Sequence, residues 1–444
     1  RSYSVTGVQT CALPISMQDF KHLTRPKKNF FQRYWKNLTL CTALALLVIP
    51  LTVVAVRKGA QALSYWQGFR AKTELKPQPV SLGDELFATA SGLLPAAVST
   101  GGFLTATAPD GTLLRLSIKP ELQQRVQGFL AKTRPNYAVF VAIEPTTGRV
   151  LSLTGYSALD PNWQQQAAYQ IYPMASLFKM VTAASALENN KINPASVLEF
   201  RGRLVSETPK NWDPSPKGRN NKMDVTEAMG KSVNPIYGRI ASDLLSKEQL
   251  KQTCDNFGFN RPLLLPGVPA VPSPAPTVES SNDLRLQGCG LDHGLQVSPI
   301  HAAAITAAIA NRGSMMAPRL VDQVTRNGKE LKVPASRELT KVTSPETADS
   351  LTRMLLTTVT SGTSRKAFHT AEGRRLTSDM KIAAKTGSID GDNPKGHYSW
   401  FAAYAPADRP QIALVALVIN GDKWKIKASQ LGEQALAEFF RQGR

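Results

Sequence analysis

At 444 residues with 42 % apolar side chains, the chain can bury a large core and is too apolar for a disordered tail. Its formal net charge of +20 implies an anionic partner. No aromatic–basic RNA motif or zinc-finger spacing is present, so nucleic acid is excluded in favour of lipid headgroups or peptide carboxylates.

Residues 1–16 read as a foreign leader, similar to a translated sequencing adapter, with Met17 as the true start. Residues 17–37 form a basic tail with Lys21, Arg25, Lys27, Lys28, Arg33 and Lys36. Leu38 to Val56 contains no charged residue. At roughly 1.5 Å per residue this run reaches about 28 Å, close to a bilayer core, and predicts a transmembrane anchor over 38–56. The basic tail places the N-terminus in the cytoplasm, with a single pass through the inner membrane and everything after residue 58 outside it. Residues 57–115 read as a juxtamembrane stalk or small subdomain, and a larger domain spans 116–444.

Within that domain, Leu122, Val126 and Leu130 share one face of a helix over Pro120–Lys132. Tyr137–Ile143 and Val150–Thr154 form a hairpin about the turn Glu144-Pro-Thr-Thr-Gly148. Met180–Leu187, Ile300–Asn311 and Thr347–Val359 read as helices. Pro262 to Pro276 holds six prolines and reads as a surface loop. Ile382–Lys385, Tyr398–Tyr404 and Ile412–Ile419 are strands too closely spaced for parallel crossovers, and Gln430–Arg441 is a terminal helix. The fold class is therefore α+β, an antiparallel sheet flanked by helices, with an N-terminal transmembrane helix. Cys254 and Cys289 fall in an oxidising compartment, which permits a disulfide; the alternative is two unpaired core residues.

Three short motifs stand in order: Ser176-Leu-Phe-Lys179, Ser232-Val-Asn234 and Lys385-Thr-Gly-Ser388. Together they describe acyl transfer by a serine nucleophile. Context removes two chance copies. Ser378-Asp-Met-Lys381 lies just before the third motif, with no helix to present it, and Ser280-Ser-Asn282 lies beside the proline-rich stretch. No metal or cofactor is expected, since the five histidines lack ligand spacing.

The ordered trio resembles the penicillin-recognising serine enzymes: penicillin-binding proteins and serine β-lactamases. The segments Gly294-Leu-Gln-Val-Ser-Pro299 and Trp400-Phe-Ala-Ala-Tyr404 resemble the transpeptidase part of monofunctional, high-mass penicillin-binding proteins. Two local departures are visible: Pro173-Met-Ala precedes the serine in place of Pro-Gly, and Ser388 stands where Thr is commoner. The 57–115 stretch is also shorter than the family's usual pedestal. The resemblance implies a membrane-anchored D,D-transpeptidase that cross-links peptidoglycan stem peptides. β-Lactams would act as covalent inhibitors, and a polytopic glycan polymerase is an implied partner.

In this reading Ser176 is the nucleophile and Lys179, three residues on along a helix, its base. To act as base, Lys179 must fall from about 10.4 towards 7–8, through burial and a second cation, Lys385. Ser232 relays a proton, and Asn234 donates to a substrate amide carbonyl and to Lys179. Lys385, Thr386 and Ser388 hold the substrate's terminal carboxylate, and Gly387 admits its backbone. The backbone N–H groups of Ser176 and Ser388 form an oxyanion hole. Alternative functions are a D,D-carboxypeptidase, a serine β-lactamase, and a non-catalytic β-lactam-binding scaffold or sensor. No dedicated Glu to activate water is identified for the lactamase, and residues 17–37 are too few for a sensor's output domain.

Overall fold

Residues 82–262, 267–369 and 380–441 are described by a computed structural model. The leader, the basic tail and the anchor expected over 38–56 lie outside the described residues. Among the described residues no helix is long and apolar enough to cross a membrane.

Helix α1 (Leu82–Leu93) leads into strands β1 (Val98–Thr100), β2 (Phe103–Thr107) and β3 (Leu113–Leu116). Helix α2 (Pro120–Thr133) precedes the hairpin β4 (Tyr137–Ile143) and β5 (Val150–Ser157). Next come α3 (Lys179–Glu188), the strand pair β6 (Val197–Phe200) and β7 (Asn221–Asp224), α4 (Val225–Lys231) and α5 (Asn234–Arg239). Helices α6 (Lys247–Asn256), α7 (Ser281–Cys289) and α8 (Pro299–Ala310) precede strands β8 (Val321–Arg326) and β9 (Lys329–Leu331). Helix α9 (Pro345–Thr360), strands β10 (Ala383–Asp392), β11 (Lys395–Ala405) and β12 (Ile412–Asn420), and helix α10 (Ala428–Arg441) follow, with shorter strands and helical turns between these main elements.

The main sheet has five antiparallel strands in the order β10-β11-β12-β4-β5. The period-two geometry of a strand sends alternate side chains to opposite faces. Val139, Val141 and Ile143 of β4 and Val415, Leu417 and Ile419 of β12 enter one core. Phe140 of β4 and Leu414 and Val418 of β12 enter the other. α8, wholly buried and polar only at His301 and Thr306, packs on the first face. α2 and α10 cover the second through Leu122, Val126, Leu130, Leu431 and Leu436. A sheet covered on both faces explains why β12 reads as a continuous apolar run.

A second sheet, also of five strands, runs β1-β2-β3-β8-β9. β3 pairs with β8 across some two hundred residues, with Leu114 opposite Val324. The segment 98–116 thus hydrogen-bonds to a strand deep inside the 116–444 stretch. The strand expected at Ile382–Lys385 is longer than anticipated, because its alternation with the paired β11 continues to Asp392. Residues 267–280 contain no helix or strand, as their prolines require.

Cys254 and Cys289 are free thiols, both buried, so no disulfide joins them. Each is a small apolar core residue, 3 % and 0 % exposed, and burial raises their pKa to about 12 and about 11.

Candidate active site

Pro173 does not start a helix. Pro173 belongs to a two-residue strand paired with Gln296–Val297, and its carbonyl accepts the Trp400 indole N–H at 2.9 Å. Ala175 then takes a left-handed backbone, φ 53°, which interrupts any helix running in from Pro173. A single 3-10 turn, Ala175–Phe178, carries Ser176 and runs into α3 at Lys179. In a 3-10 turn side chains three apart eclipse each other, which stacks Ser176 over Lys179.

The left-handed Ala175 is held from two sides by residues that lack a side chain. A Cβ on Gly290 would lie 2.0 Å from the Ala175 carbonyl oxygen, and Gly290 itself has φ +81°. A Cβ on Gly387 would lie 3.0 Å from the Ala175 methyl and 3.3 Å from the Ser176 nitrogen. The third motif therefore lies directly against the backbone of the nucleophile.

The Lys179 ammonium, wholly buried, donates to the Ser176 hydroxyl at 2.5 Å, to Asn234 Oδ1 at 2.7 Å and to the Cys289 carbonyl at 2.7 Å. Burial lowers its pKa to about 8. Lys385 is equally buried, and its ammonium donates to the Ser232 hydroxyl and to its neighbour's carbonyl at Thr386, both at 2.8 Å. Its pKa is pushed well below the lysine range, by burial first and by the Lys179 charge second. Burial thus accounts for the Lys179 shift, and the charge repulsion between the two lysines is felt at Lys385.

Ser232 closes α4 in a left-handed conformation, φ 58°. That backbone aims its hydroxyl at Lys385. Asn234-Pro235 does not end a turn but opens α5, where a proline is tolerated because the first-turn N–H has no helical partner. The expectation that Asn234 donates to Lys179 is corrected. An ammonium has only donors, so the Asn oxygen accepts and its Nδ2 donates to the Ser206 carbonyl at 3.2 Å. The Asn234 main-chain N–H also binds the Leu204 carbonyl at 2.8 Å.

Thr386 and Ser388 lie on β10, the terminal strand of the main sheet. Thr386 Oγ1 shares a hydrogen bond with Thr363 Oγ1 at 2.6 Å, and Ser388 is exposed. A cleft of about 360 Å³ continues from Ser388 past Ile389 and Asp390, with Glu207 and His293 on its other walls. All three motifs therefore meet at one point. Of the chance copies, Ser280 caps α7 by accepting from the Asp283 N–H at 3.1 Å, and Ser378 lies outside the described residues.

Two contributions carry no side-chain signal and are missed by sequence reasoning. One is the Cys289 carbonyl at the C-terminal end of α7. The other is the loop 201–213, whose carbonyls orient Asn234. Arg285 joins the two: its guanidinium binds both oxygens of Asp213 at 2.7 and 2.9 Å, and it reaches Asp243 at 3.2 Å.

A family model described as penicillin binding protein transpeptidase domain matches residues 138–441. Peptidoglycan D,D-transpeptidase PbpA of Mycolicibacterium smegmatis is 25% identical over 385 residues, covering 77% of this chain and 75% of that protein. Stage V sporulation protein D of Bacillus subtilis is 25% identical over 355 residues, 70% of this chain and 50% of that protein. The penicillin G acyl-enzyme complex of penicillin-binding protein A from Mycobacterium tuberculosis shares the fold. Its TM-score is 0.58 at 22% identity, over 74% of this chain and 80% of that one. The α+β architecture, the convergence of the three motifs and a match spanning β4 to α10 together place the chain in the penicillin-binding protein transpeptidase family.

Proposed function

We propose that the chain is a serine D,D-transpeptidase that cross-links peptidoglycan stem peptides. The observation that carries this is the buried Lys179 ammonium bridging the Ser176 hydroxyl and Asn234. Named D,D-transpeptidases among its relatives support the same reaction.

Ser176 Oγ attacks the carbonyl carbon of the penultimate D-alanine, and its proton passes to the neutral Lys179 amine. A lysine with a pKa of about 8 is partly neutral at physiological pH, which this step requires. The backbone N–H groups of Ser176 and Ser388 receive the developing oxyanion, a contribution of roughly 100–1,000-fold per donor. The departing D-alanine amine collects its proton from Lys179 through Ser232 and Lys385. Lys385, Thr386 and Ser388 bind the terminal carboxylate, whose negative charge favours the ammonium form of Lys385 against the burial that disfavours it. Gly387 leaves room for the substrate backbone. An amine of a second stem then attacks the ester, the amide forms, and the Ser176 hydroxyl is regenerated. β-Lactams enter at the first step and stop at the ester. Anchoring by residues 38–56, an extracytoplasmic site and a glycan polymerase as partner belong to the same proposal. They rest on the apolar run, the basic tail and the family resemblance.

Labelling by a fluorescent penicillin tests the nucleophile. The native protein is expected to label and Ser176→Ala not to. Equal labelling of both would remove Ser176 from its role. Product analysis with a D-alanyl-D-alanine donor and an amine acceptor then separates cross-linking from hydrolysis.

A further inference from the structure

A groove of about 610 Å³ opens beside the second motif, and no residue of β10 lines it. Its apolar lining includes Leu204, Val205 and Met223, and Val205 leaves 62 % of its surface exposed. Arg203, Lys222 and Lys231 add three cations and no carboxylate lines it. Lys222 and Lys231 are already paired, with Glu199 at 2.7 Å and Glu227 at 2.5 Å. Arg203 has no acidic partner among the described residues. The loop continues with exposed Arg201, Lys210, Lys217 and Arg219, likewise without ion pairs among the described residues. Of its two acids, Asp213 is occupied by Arg285.

This groove is joined to the catalytic residues by covalent and hydrogen bonds. Lys231 directly precedes Ser232. Leu204, on the groove wall, gives its carbonyl to the Asn234 N–H, and Ser206 gives its own to Asn234 Nδ2. A ligand seated here touches Lys231 and Leu204, the chain neighbour of Ser232 and the main-chain partner of Asn234, while the donor's terminal carboxylate is assigned to β10, none of whose residues lines the groove.

We infer that this groove receives the acceptor strand: a peptide that brings the attacking amine and is recognised through its carboxylates by Arg203 and the neighbouring lysines. The inference rests on the transpeptidase reading above. Charge complementarity supports it, because a stem peptide carries free carboxylates and Arg203 on the groove wall has no acidic partner among the described residues. The same cations disfavour a protonated amine beside them, which biases the incoming group towards its nucleophilic neutral form. The apolar lining takes the peptide's methyl groups.

The test uses the full chain in detergent micelles, with an acetylated D-alanyl-D-alanine donor peptide. Two acceptors are compared: a stem peptide with a free side-chain amine and free carboxylates, and its fully amidated form. Arg203→Glu is expected to raise the acceptor KM about tenfold for the carboxylate form. The amidated form should change less than about twofold, and penicillin acylation should match the native rate. Arg203→Ala, a milder change at an exposed site, should give a smaller rise in the same direction. An unchanged KM for the carboxylate acceptor overturns the inference, as does an equal rise for both acceptors. Unchanged KM with weaker sedimentation on phosphatidylglycerol vesicles assigns the cations to lipid and overturns it too. If the native chain only hydrolyses the donor, the transpeptidase reading itself fails and the groove loses its occupant. Native aminolysis with an indifferent Arg203→Glu sinks the groove alone.

Discussion

Lys179 donates to the main-chain oxygen of Cys289 at 2.7 Å, at the last residue of α7. A helix C-terminus carries partial negative charge, so this contact favours the ammonium while burial favours the free amine. The position near 8 leaves both forms available around neutral pH. Such a group can take a proton in one half of a cycle and return it in the next.

That balance predicts the pH dependence of penicillin acylation. Burial has lowered Lys179 from 10.5 to about 8, and the neutral amine is the base. The acylation rate should therefore climb as pH rises through about 8 and level off above it. Stopped-flow acylation from pH 6 to 10 measures this. A flat profile, or one falling with pH, would contradict the base role of Lys179.

Gly290→Ala should damage both fold and site. The new methyl would meet the Ala175 carbonyl at 2.0 Å, on a backbone at φ +81° that L residues rarely adopt. A loss of about 1–3 kcal/mol in stability is expected. Acylation should fall further than the thermal midpoint alone explains, because the displaced atoms lead straight into Ser176. Acylation measured well below the melting temperature isolates that second effect.

Arg285→Ala should loosen the loop that orients Asn234. The Asp213 partner is half exposed, so the stability cost is small, about 1 kcal/mol. Freed loop 201–213 should become sensitive to limited proteolysis, and acylation should drop by about tenfold. The pairing is also acid-sensitive. The Arg285 guanidinium holds the Asp213 carboxyl below 3.8, so the contact is intact above that pH and is lost as acid protonates Asp213.

Both core thiols should resist alkylation at neutral pH in the folded protein, since burial raises Cys289 to about 11 and Cys254 to about 12. After unfolding without reductant, both should react with iodoacetamide in a mass measurement. Modification that requires prior reduction would reveal a disulfide and contradict the free thiols.

What can be read from the sequence here divides along physical lines. Ser176, Lys179, Ser232, Asn234, Lys385 and Thr386 are side chains whose order and spacing carry the chemistry; folding bonds Lys179 to Ser176 and Asn234, and Lys385 to Ser232, while the Thr386 hydroxyl pairs with Thr363. Strands β4, β11 and β12 announce themselves by apolar runs. The pairing of Leu114 with Val324 is invisible locally, because register between distant strands is set by the assembled core. Cys289 acts through its carbonyl, which every residue possesses, so no letter marks it. The left-handed turn at Ala175 is imposed by Gly290 and Gly387 pressing from other elements, and alanine gives no hint of it.

The position of β10 has a consequence for solubility. As the terminal strand of the main sheet it pairs, among the described residues, with β11 alone. Free edges invite a second sheet to zip on, and nature counters this with charge. Asp390 and Asp392 stand exposed on the strand beyond Ser388. Charges at this end of the strand disfavour the approach of a second, equally charged edge.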